Sequence, residues 1–286
     1  MRILVATDFS TRSHRALRRA GLLARANTAE LMIVHVVDDD QPQRLVETEV
    51  RESERMLTEL ISAVPEMRDV PCHPRVVTGD PFDAIVRTAT AQKVDLVVMG
   101  AHRKQLLRDI FVGTTIERVI RTGHHPVLMV NNEVSEDYGV VLTPVDLSST
   151  STNAIRAALT VGLIDGTHVE ILYAFQPLAK ATMSRAGLDQ ADVHQHVSSE
   201  RQQAIEDLTA FLVESDLRRL GASLRVEEGA PFEVIAAEVD RLKPDLLVIG
   251  THGRSPLLKV LLGSVTEAAL RSLDVDILAV PPHGPQ

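Results

Sequence analysis

The residues best suited to chemistry form a glycine-containing loop in the second half of the chain. Gly250-Thr251-His252-Gly253 is followed, after nine residues, by Gly263-Ser264-Val265. Glycines let a backbone approach phosphate oxygens closely and adopt positive φ. A loop that ends at a helix amino terminus also offers unpaired N–H groups and the helix dipole to an anion. The spacing therefore indicates a phosphate-binding loop, although the first two glycines could instead form a tight turn and Ser264 could cap the helix.

The first half carries a variant of this loop, Gly100-Ala101-His102-Arg103 followed after nine residues by Gly113-Thr114-Thr115. Arg103 replaces the glycine that the second half has as Gly253. A β-carbon at this position obstructs close approach and disfavours positive φ, but a guanidinium binds phosphate well. Either the first loop is degenerate and structural, or Arg103 contacts the ligand from a shifted loop. We favour weak or absent binding in the first half.

Both loops belong to an internal duplication. Residues 95–102 recur as 245–252, an offset of 150, and Gly79-Asp80-Pro81-Phe82 recurs as Gly229-Ala230-Pro231-Phe232. Nearer the start of each half the offset is 138, so the second half has 12 extra residues, which we place within 176–197. The polar run 131–137 has the composition of a linker. The duplication predicts two domains, residues 1–132 and 138–283.

Each half alternates strands with helices, which predicts an α/β fold of two tandem doubly wound domains. Each domain would have a five-stranded parallel sheet flanked by helices, in a Rossmann-like arrangement. The expected strands are 2–6, 31–37, 75–77, 95–100 and 127–130 in the first half, and 140–143, 169–174, 223–226, 245–250 and 277–280 in the second. The expected helices include 11–26, 44–63, one that starts at Pro81 after an Asp80 cap, one from Thr114, and 198–213.

This topology places any ligand site outside the carboxyl ends of the strands. Asp8 and Asp146 follow the first strand of each half. Each could cap the next helix or hydrogen-bond a ligand hydroxyl, and we favour the ligand. The last strands of the two halves are apolar edges that need cover, so we expect them to pair at the interface between the domains.

Composition excludes several classes of protein. The net charge is −9 and no basic stripe is present, so nucleic acid is not an expected partner. The single cysteine, Cys72, excludes an internal disulfide and a cysteine zinc cage. The amino terminus has the pattern of a strand rather than a signal peptide, and no apolar run approaches the roughly 20 residues of a membrane span. We expect a cytoplasmic protein without membrane contact.

The pattern G-x2-G-x9-G-(S/T) after the fourth strand, together with an aspartate after the first, resembles the universal stress protein family. The resemblance covers essentially the whole chain as two tandem domains. It implies a fold similar to that of the adenine nucleotide alpha hydrolases, and ATP, with Mg²⁺, as the ligand of members that carry this loop.

The resemblance also implies which residues bind. Asp146 would lie near the adenine or ribose, Ala174 would offer backbone contacts to the adenine, and the three loop glycines would hold ribose and phosphates. The implied nucleotide-binding residues are Pro144, Val145, Asp146, Ala174, Ile249, Gly250, His252, Gly253, Gly263, Ser264 and Val265. The possible second site comprises Ala6, Thr7, Asp8, Val36, Gly100, Arg103, Gly113, Thr114 and Thr115.

The favoured function is an ATP-binding regulatory module of the stress response, with the nucleotide held mainly by the second domain. The alternative is a slow ATPase or another nucleotide-handling enzyme. No Walker lysine follows the glycines and no carboxylates cluster at strand ends, so we assign no catalytic residue. A nicotinamide dehydrogenase is set aside because G-x-G-x-x-G is missing after the first strand.

Histidines give no further site. His102 and His252 could be general bases, but neither has an evident nucleophile or orienting partner in the sequence. No set of histidines and Cys72 has a complete metal-ligand spacing, so no metal site is expected. Pairing of the two domains would be internal to the chain, and a homodimer of whole chains is compatible with the sequence.

Overall fold

The computed structural model describes residues 1–101, 114–177, 189–253 and 262–282. In the first half the elements follow the predicted order. They are β1 (Arg2–Ala6), α1 (Thr11–Ala26), β2 (Glu30–Val37), α2 (Gln43–Ala63), a 3-10 turn (Pro65–Met67), β3 (Cys72–Thr78), α3 (Pro81–Gln92), β4 (Leu96–Gly100), α4 (Thr115–Thr122) and β5 (Val127–Val130).

The second half repeats this order. Its elements are β6 (Val140–Val145), α5 (Ser149–Thr160), β7 (His168–Phe175), α6 (Gln190–Glu214), a 3-10 turn (Arg218–Leu220), β8 (Ser223–Glu228), α7 (Pro231–Leu242), β9 (Leu246–Gly250), α8 (Ser264–Ser272) and β10 (Asp276–Val280). The predicted α/β class and the two parallel halves are therefore confirmed.

The ten strands form one continuous sheet in the order β3-β2-β1-β4-β5-β10-β9-β6-β7-β8. All pairings within each half are parallel, and β5 and β10 pair antiparallel, with Leu128 opposite Leu278. The prediction that the last strands pair between the domains is confirmed. This pairing covers two apolar edges that a separate domain would expose.

Two apolar clusters cover the two faces of the sheet. Adjacent strand residues point to opposite faces, so Ile3 and Val5 belong to one cluster and Leu4 to the other. The first cluster packs helices α1, α2, α5 and α6, and the second packs α3, α4, α7 and α8. Both clusters contain residues of both halves. The inner strands are thus buried on both faces, as their continuous Val, Ile and Leu runs indicate, whereas the edge strands β3 and β8 are partly exposed.

Several predicted element bounds need correction, among them the extended ends of β6 and β8, and three have an evident cause. Strand β3 spans seven residues from Cys72 rather than the short run at 75–77, because it forms a full ladder with β2. Helix α6 begins at Gln190 instead of 198, since Asp189 caps it by accepting from the Ala191 N–H. Helix α4 begins one residue later than predicted, because Thr114 is its N-cap.

The segment between the domains is fixed at the buried end of β10. The Asp276 carboxylate accepts from the backbone N–H groups of Asn131 and Asn132, at 2.8 and 2.9 Å, and from the Tyr138 hydroxyl at 2.7 Å. The Arg19 guanidinium lies 3.9 Å from the Tyr138 ring centroid. Burial raises the pKa of Asp276 despite these donors. The polar run read as a linker is therefore anchored.

Helices long and apolar enough to cross a membrane do not occur among the described residues.

Candidate functional site

A cavity of about 580 Å³ opens at the carboxyl ends of β6, β7 and β9 in the second domain. Its volume lies within the range of about 300–1,000 Å³ that is typical of small-molecule sites. All eleven residues implied as nucleotide-binding in this domain line it. They are Pro144, Val145, Asp146, Ala174, Ile249, Gly250, His252, Gly253, Gly263, Ser264 and Val265.

Asp146 enters this cavity from the turn between β6 and α5. Its Oδ1 atom accepts from the Ser148 N–H at 3.1 Å and from the Ser151 hydroxyl at 2.7 Å, and its own N–H donates to the Ser151 Oγ at 3.1 Å. The following residue, Leu147, has a φ of 62°, which is uncommon for a bulky side chain. The matching Phe9 has a φ of 59°. Both domains therefore keep a strained turn that fixes the aspartate.

The loop glycines are needed for close approach rather than for positive φ. None of Gly250, Gly253 and Gly263 is in the left-handed region, so that part of our expectation was wrong. A β-carbon on Gly253 would lie 3.2 Å from Asp146 Oδ2, and one on Gly263 would lie 3.1 Å from the Thr251 carbonyl oxygen. The loop backbone thus runs against the aspartate and against the end of β9, where a side chain would intrude.

Helix α8 presents its amino terminus to the cavity without a side-chain cap. Gly263 is the N-cap and Ser264 the first helical residue, with no side-chain capping bond among the described residues. The alternative in which Ser264 caps the helix is therefore wrong. The Thr266 hydroxyl donates to the Gly250 carbonyl at 2.8 Å, which ties the helix to the end of β9. The first-turn N–H groups remain available for an anion.

His252 supplies a second polar feature of the cavity. Its Nδ1 lies 2.9 Å from the Thr251 hydroxyl oxygen, and Thr251 is buried. Its Nε2 is also buried and has no hydrogen-bond partner in the described part of the chain. A buried ring nitrogen without a partner costs free energy unless a ligand or water satisfies it.

The far end of the cavity is apolar. Further lining residues come from α5, β7, α7, the segment just before α8 and α8 itself, and sequence reasoning did not combine these elements. These additional lining residues are Ser151, Leu172, Tyr173, Pro231, Ile235, Leu262 and Thr266. The repeated segment that contains Pro81 and Pro231 could have indicated part of this cavity wall, because it begins α3 and α7 at matching places in the two halves. We used it only to predict a helix.

The equivalent cavity of the first domain has a volume of about 230 Å³. The predicted residues that line it are Ala6, Thr7, Asp8, Val36, Gly100 and Thr115. Arg103, Gly113 and His102 lie outside the described residues. Thr114 does not line the cavity, contrary to expectation, because its hydroxyl accepts from the Glu117 N–H and caps α4.

Side chains specific to the first domain make contacts in and near its site that the second domain lacks. Arg118 donates to Asp80 at 3.3 Å and lies 3.5 Å from the Phe82 ring centroid, so it links α4 to the start of α3. The second domain has alanines at the positions of Asp80 and Arg118, Ala230 and Ala268. His35 takes the place of Tyr173 and donates from Nδ1 to the Thr7 carbonyl at 2.9 Å.

Asp8 keeps the geometry of its counterpart. Burial tends to raise the pKa of Asp8, but hydrogen bonds from Ser10 and Ser13 outweigh burial and hold the pKa below its usual value. Its carboxylate therefore stays charged in a cavity that also has Arg12 in its wall. The aspartate turn of the first domain is retained although the cavity is smaller.

The sequence profile of the Universal stress protein family matches twice, over residues 1–131 and 137–281. The chain belongs to the universal stress protein family. Universal stress protein E of Escherichia coli (strain K12) is 27% identical over 225 residues, which cover 74% of this chain and 69% of that protein. Universal stress protein MJ0577 of Methanocaldococcus jannaschii is 28% identical and covers 47% of this chain and 96% of that protein.

Solved structures share the tandem fold of this universal stress protein. The functionally unknown protein PA1789 from Pseudomonas aeruginosa PAO1 is 19% identical, with a TM-score of 0.68 over 98% of this chain and 92% of that one. A universal stress protein from Archaeoglobus fulgidus is 17% identical, with a TM-score of 0.68 over 98% of each chain. At these identities the likeness concerns the fold alone.

Proposed function

We propose that this universal stress protein binds ATP in its second domain and acts as a regulatory module of the stress response. The observation that supports this most directly is the convergence of the eleven implied residues on one cavity, where a helix amino terminus without a side-chain cap meets a half-buried aspartate turn. The family resemblance supplies the identity of the nucleotide.

In this proposal each end of the cavity takes one part of the ligand. The outer phosphates lie at the start of α8, where Ser264, Val265 and the first-turn N–H groups donate to them. The Asp146 carboxylate accepts from a ribose hydroxyl. The adenine lies between the apolar end of the cavity and the backbone of Ala174 at the end of β7.

Mg²⁺ would enter with the phosphates. Described residues contain no group of three or more histidine, cysteine, aspartate or glutamate side chains that could hold a metal ion. Mg²⁺ commonly keeps several waters and binds through one or two carboxylates plus substrate phosphates.

Two measurements test the proposal. Mass spectrometry of nucleotide released from the denatured protein identifies the ligand, and calorimetry on nucleotide-free protein gives the number of sites. We expect ATP and one strong site per chain. Gly263→Val should weaken binding at least about tenfold, because the new side chain meets the Thr251 carbonyl. Unchanged affinity in this variant, or release of a ligand other than an adenine nucleotide, would contradict the proposal.

A further inference from the structure

The helices that follow the two glycine loops begin differently, although their sequences match. Helix α4 starts with a closed capping box, in which the Thr114 hydroxyl accepts from the Glu117 N–H at 3.3 Å and a Glu117 carboxylate oxygen accepts from the Thr114 N–H at 3.1 Å. Ser264 and Glu267 have the same spacing at the start of α8. No side-chain cap is formed there among the described residues.

In α8 the Glu267 N–H instead donates to the carbonyl of the Gly263 N-cap at 2.9 Å, and the Glu267 side chain pairs with Arg271. Its guanidinium lies 2.9 Å from the Glu267 carboxylate, one turn further along α8 and away from the cavity. The same guanidinium crosses to the first domain and donates to both carboxylate oxygens of Glu117, at 2.8 and 3.3 Å. One arginine thus holds a glutamate of each domain.

The matching arginine of the first domain does not return this contact. Arg121 has a buried Nε without a hydrogen-bond partner in the described ranges. The contacts of Arg271 and Arg121 are therefore not equivalent in the two domains. Glu117 is almost fully buried, and although burial tends to raise its pKa, the hydrogen bond from Arg271 lowers the pKa below its usual value. Glu117 stays charged and keeps α4 capped.

A capping carboxylate and a phosphate compete for the same helix terminus. Both are anions, both are favoured by the helix dipole, and both use the N–H groups of the first turn. A Glu267 side chain that folded back onto Ser264 would place a negative charge where the outer phosphates of ATP are proposed to lie. The ion pair with Arg271 holds the Glu267 carboxylate one turn further along α8, away from the phosphates.

We infer that Arg271 is a positioning residue of the nucleotide site, which keeps the start of α8 open for phosphate by holding Glu267 away from it. This inference rests on the proposed ATP site of the second domain. It also assigns a function to the contact between Arg271 and Glu117 across the domain interface. The same arginine keeps the start of α8 open and fixes the cap of α4.

Calorimetric titration of the full chain with ATP tests the inference. Arg271→Ala should weaken ATP binding by about fivefold at low salt, the scale of one charge at a helix terminus. The double variant Arg271→Ala/Glu267→Gln should return to within about twofold of the unmodified protein, because a neutral amide does not repel phosphate. Glu117→Gln is the matched control. It removes the ion pair between the domains, leaves Arg271 with Glu267, and should not change the affinity.

The outcomes separate charge from packing. Unchanged affinity in Arg271→Ala overturns the inference and leaves the proposed function standing. A loss that Glu267→Gln does not recover also overturns it, because the arginine would then act through the domain interface. If the unmodified protein binds no ATP, the proposed function fails and the inference falls with it.

Discussion

Asp146 and Gly253 act as a pair at the scale of single residues. The carboxylate is fixed by Ser148 and Ser151, and the glycine lets the loop backbone pass within reach of its second oxygen. The close contact explains why this position takes glycine without needing a left-handed backbone. The first domain carries Arg103 at the matching position, where a β-carbon obstructs such a close approach.

Gly253→Arg should lower the ATP affinity of the second domain by at least about tenfold. The new β-carbon would crowd Asp146, and the guanidinium would pair with the carboxylate that the proposal assigns to the ribose. Fluorescent-nucleotide titration or calorimetry measures the effect. Gly139→Arg is a suitable control, since it also places an arginine beside a carboxylate, that of Asp245, but outside the cavity. Equal affinities in the two variants would refute the assignment.

At the scale of helices and strands, two glycines determine how closely helices pack on the strand ends. The first turns of α1 and α5 cross the ends of β4 and β9 so closely that glycine is required there. A β-carbon on Gly100 would lie 2.6 Å from backbone atoms of Arg12, and one on Gly250 would lie 2.7 Å from the Thr150 methyl group. These glycines therefore set the distance between helix and sheet, in addition to any contact with a ligand.

Gly100→Ala should lower the free energy of unfolding by about 2 kcal/mol, because the backbone of α1 must shift to admit the methyl group. Gly250→Ala should cost less, since its obstacle is a side chain that can rotate. Urea unfolding at equilibrium compares the two. Gly139→Ala, whose β-carbon makes only an ordinary 3.4 Å contact, is the control. A Gly100→Ala variant as stable as this control would show that the helix has room to move.

The whole molecule is one sheet with charged contacts across its centre. The antiparallel pairing of β5 and β10 is accompanied by the buried Asp276 cluster and by the bond from Arg271 to Glu117. Because Asp276, Tyr138 and Glu117 are buried, solvent and salt screen their interactions less than those of surface pairs. The two domains are therefore expected to unfold together.

The Glu117 pair predicts a specific dependence of stability on pH. The pKa of Glu117 is lower in the folded chain than its ordinary value of 4.5, so the pair stabilises the fold above that pH, and the stabilisation is lost as pH falls through the folded pKa. Glu117→Gln should reduce the free energy of unfolding by about 2 kcal/mol near neutral pH. The variant should also lose less stability than the unmodified protein on acidification.

Urea unfolding over a series of pH values measures this difference. Glu267→Gln is the comparison, because it removes a more exposed partner of the same arginine and should cost less. If Glu117→Gln loses as much stability on acidification as the unmodified protein, this carboxyl is not the responsible group.

Local patterns allowed most of the fold and much of the site to be predicted. The apolar runs located every strand, and the repeat located the aspartate turns and both loops. These features depend on residues that are neighbours in the sequence. Predictions failed where the partner was distant in sequence. The true length of β3 depends on its ladder with β2, and the cap of α4 depends on how Glu117 is held.

The sequence by itself determined the duplication and the α/β class, since regular alternation suffices for these. Its glycine pattern, together with the family resemblance, also identified the residues that gather in the second cavity. Only the tertiary structure decided how the two copies differ. Among the three glycine positions of the loop, the two halves differ in sequence only where Arg103 replaces Gly253. The helix starts that follow differ in their contacts, since Arg271 crosses the domain interface and pairs with both Glu117 and Glu267. That choice depends on a contact between residues 154 positions apart, and no local pattern encodes it.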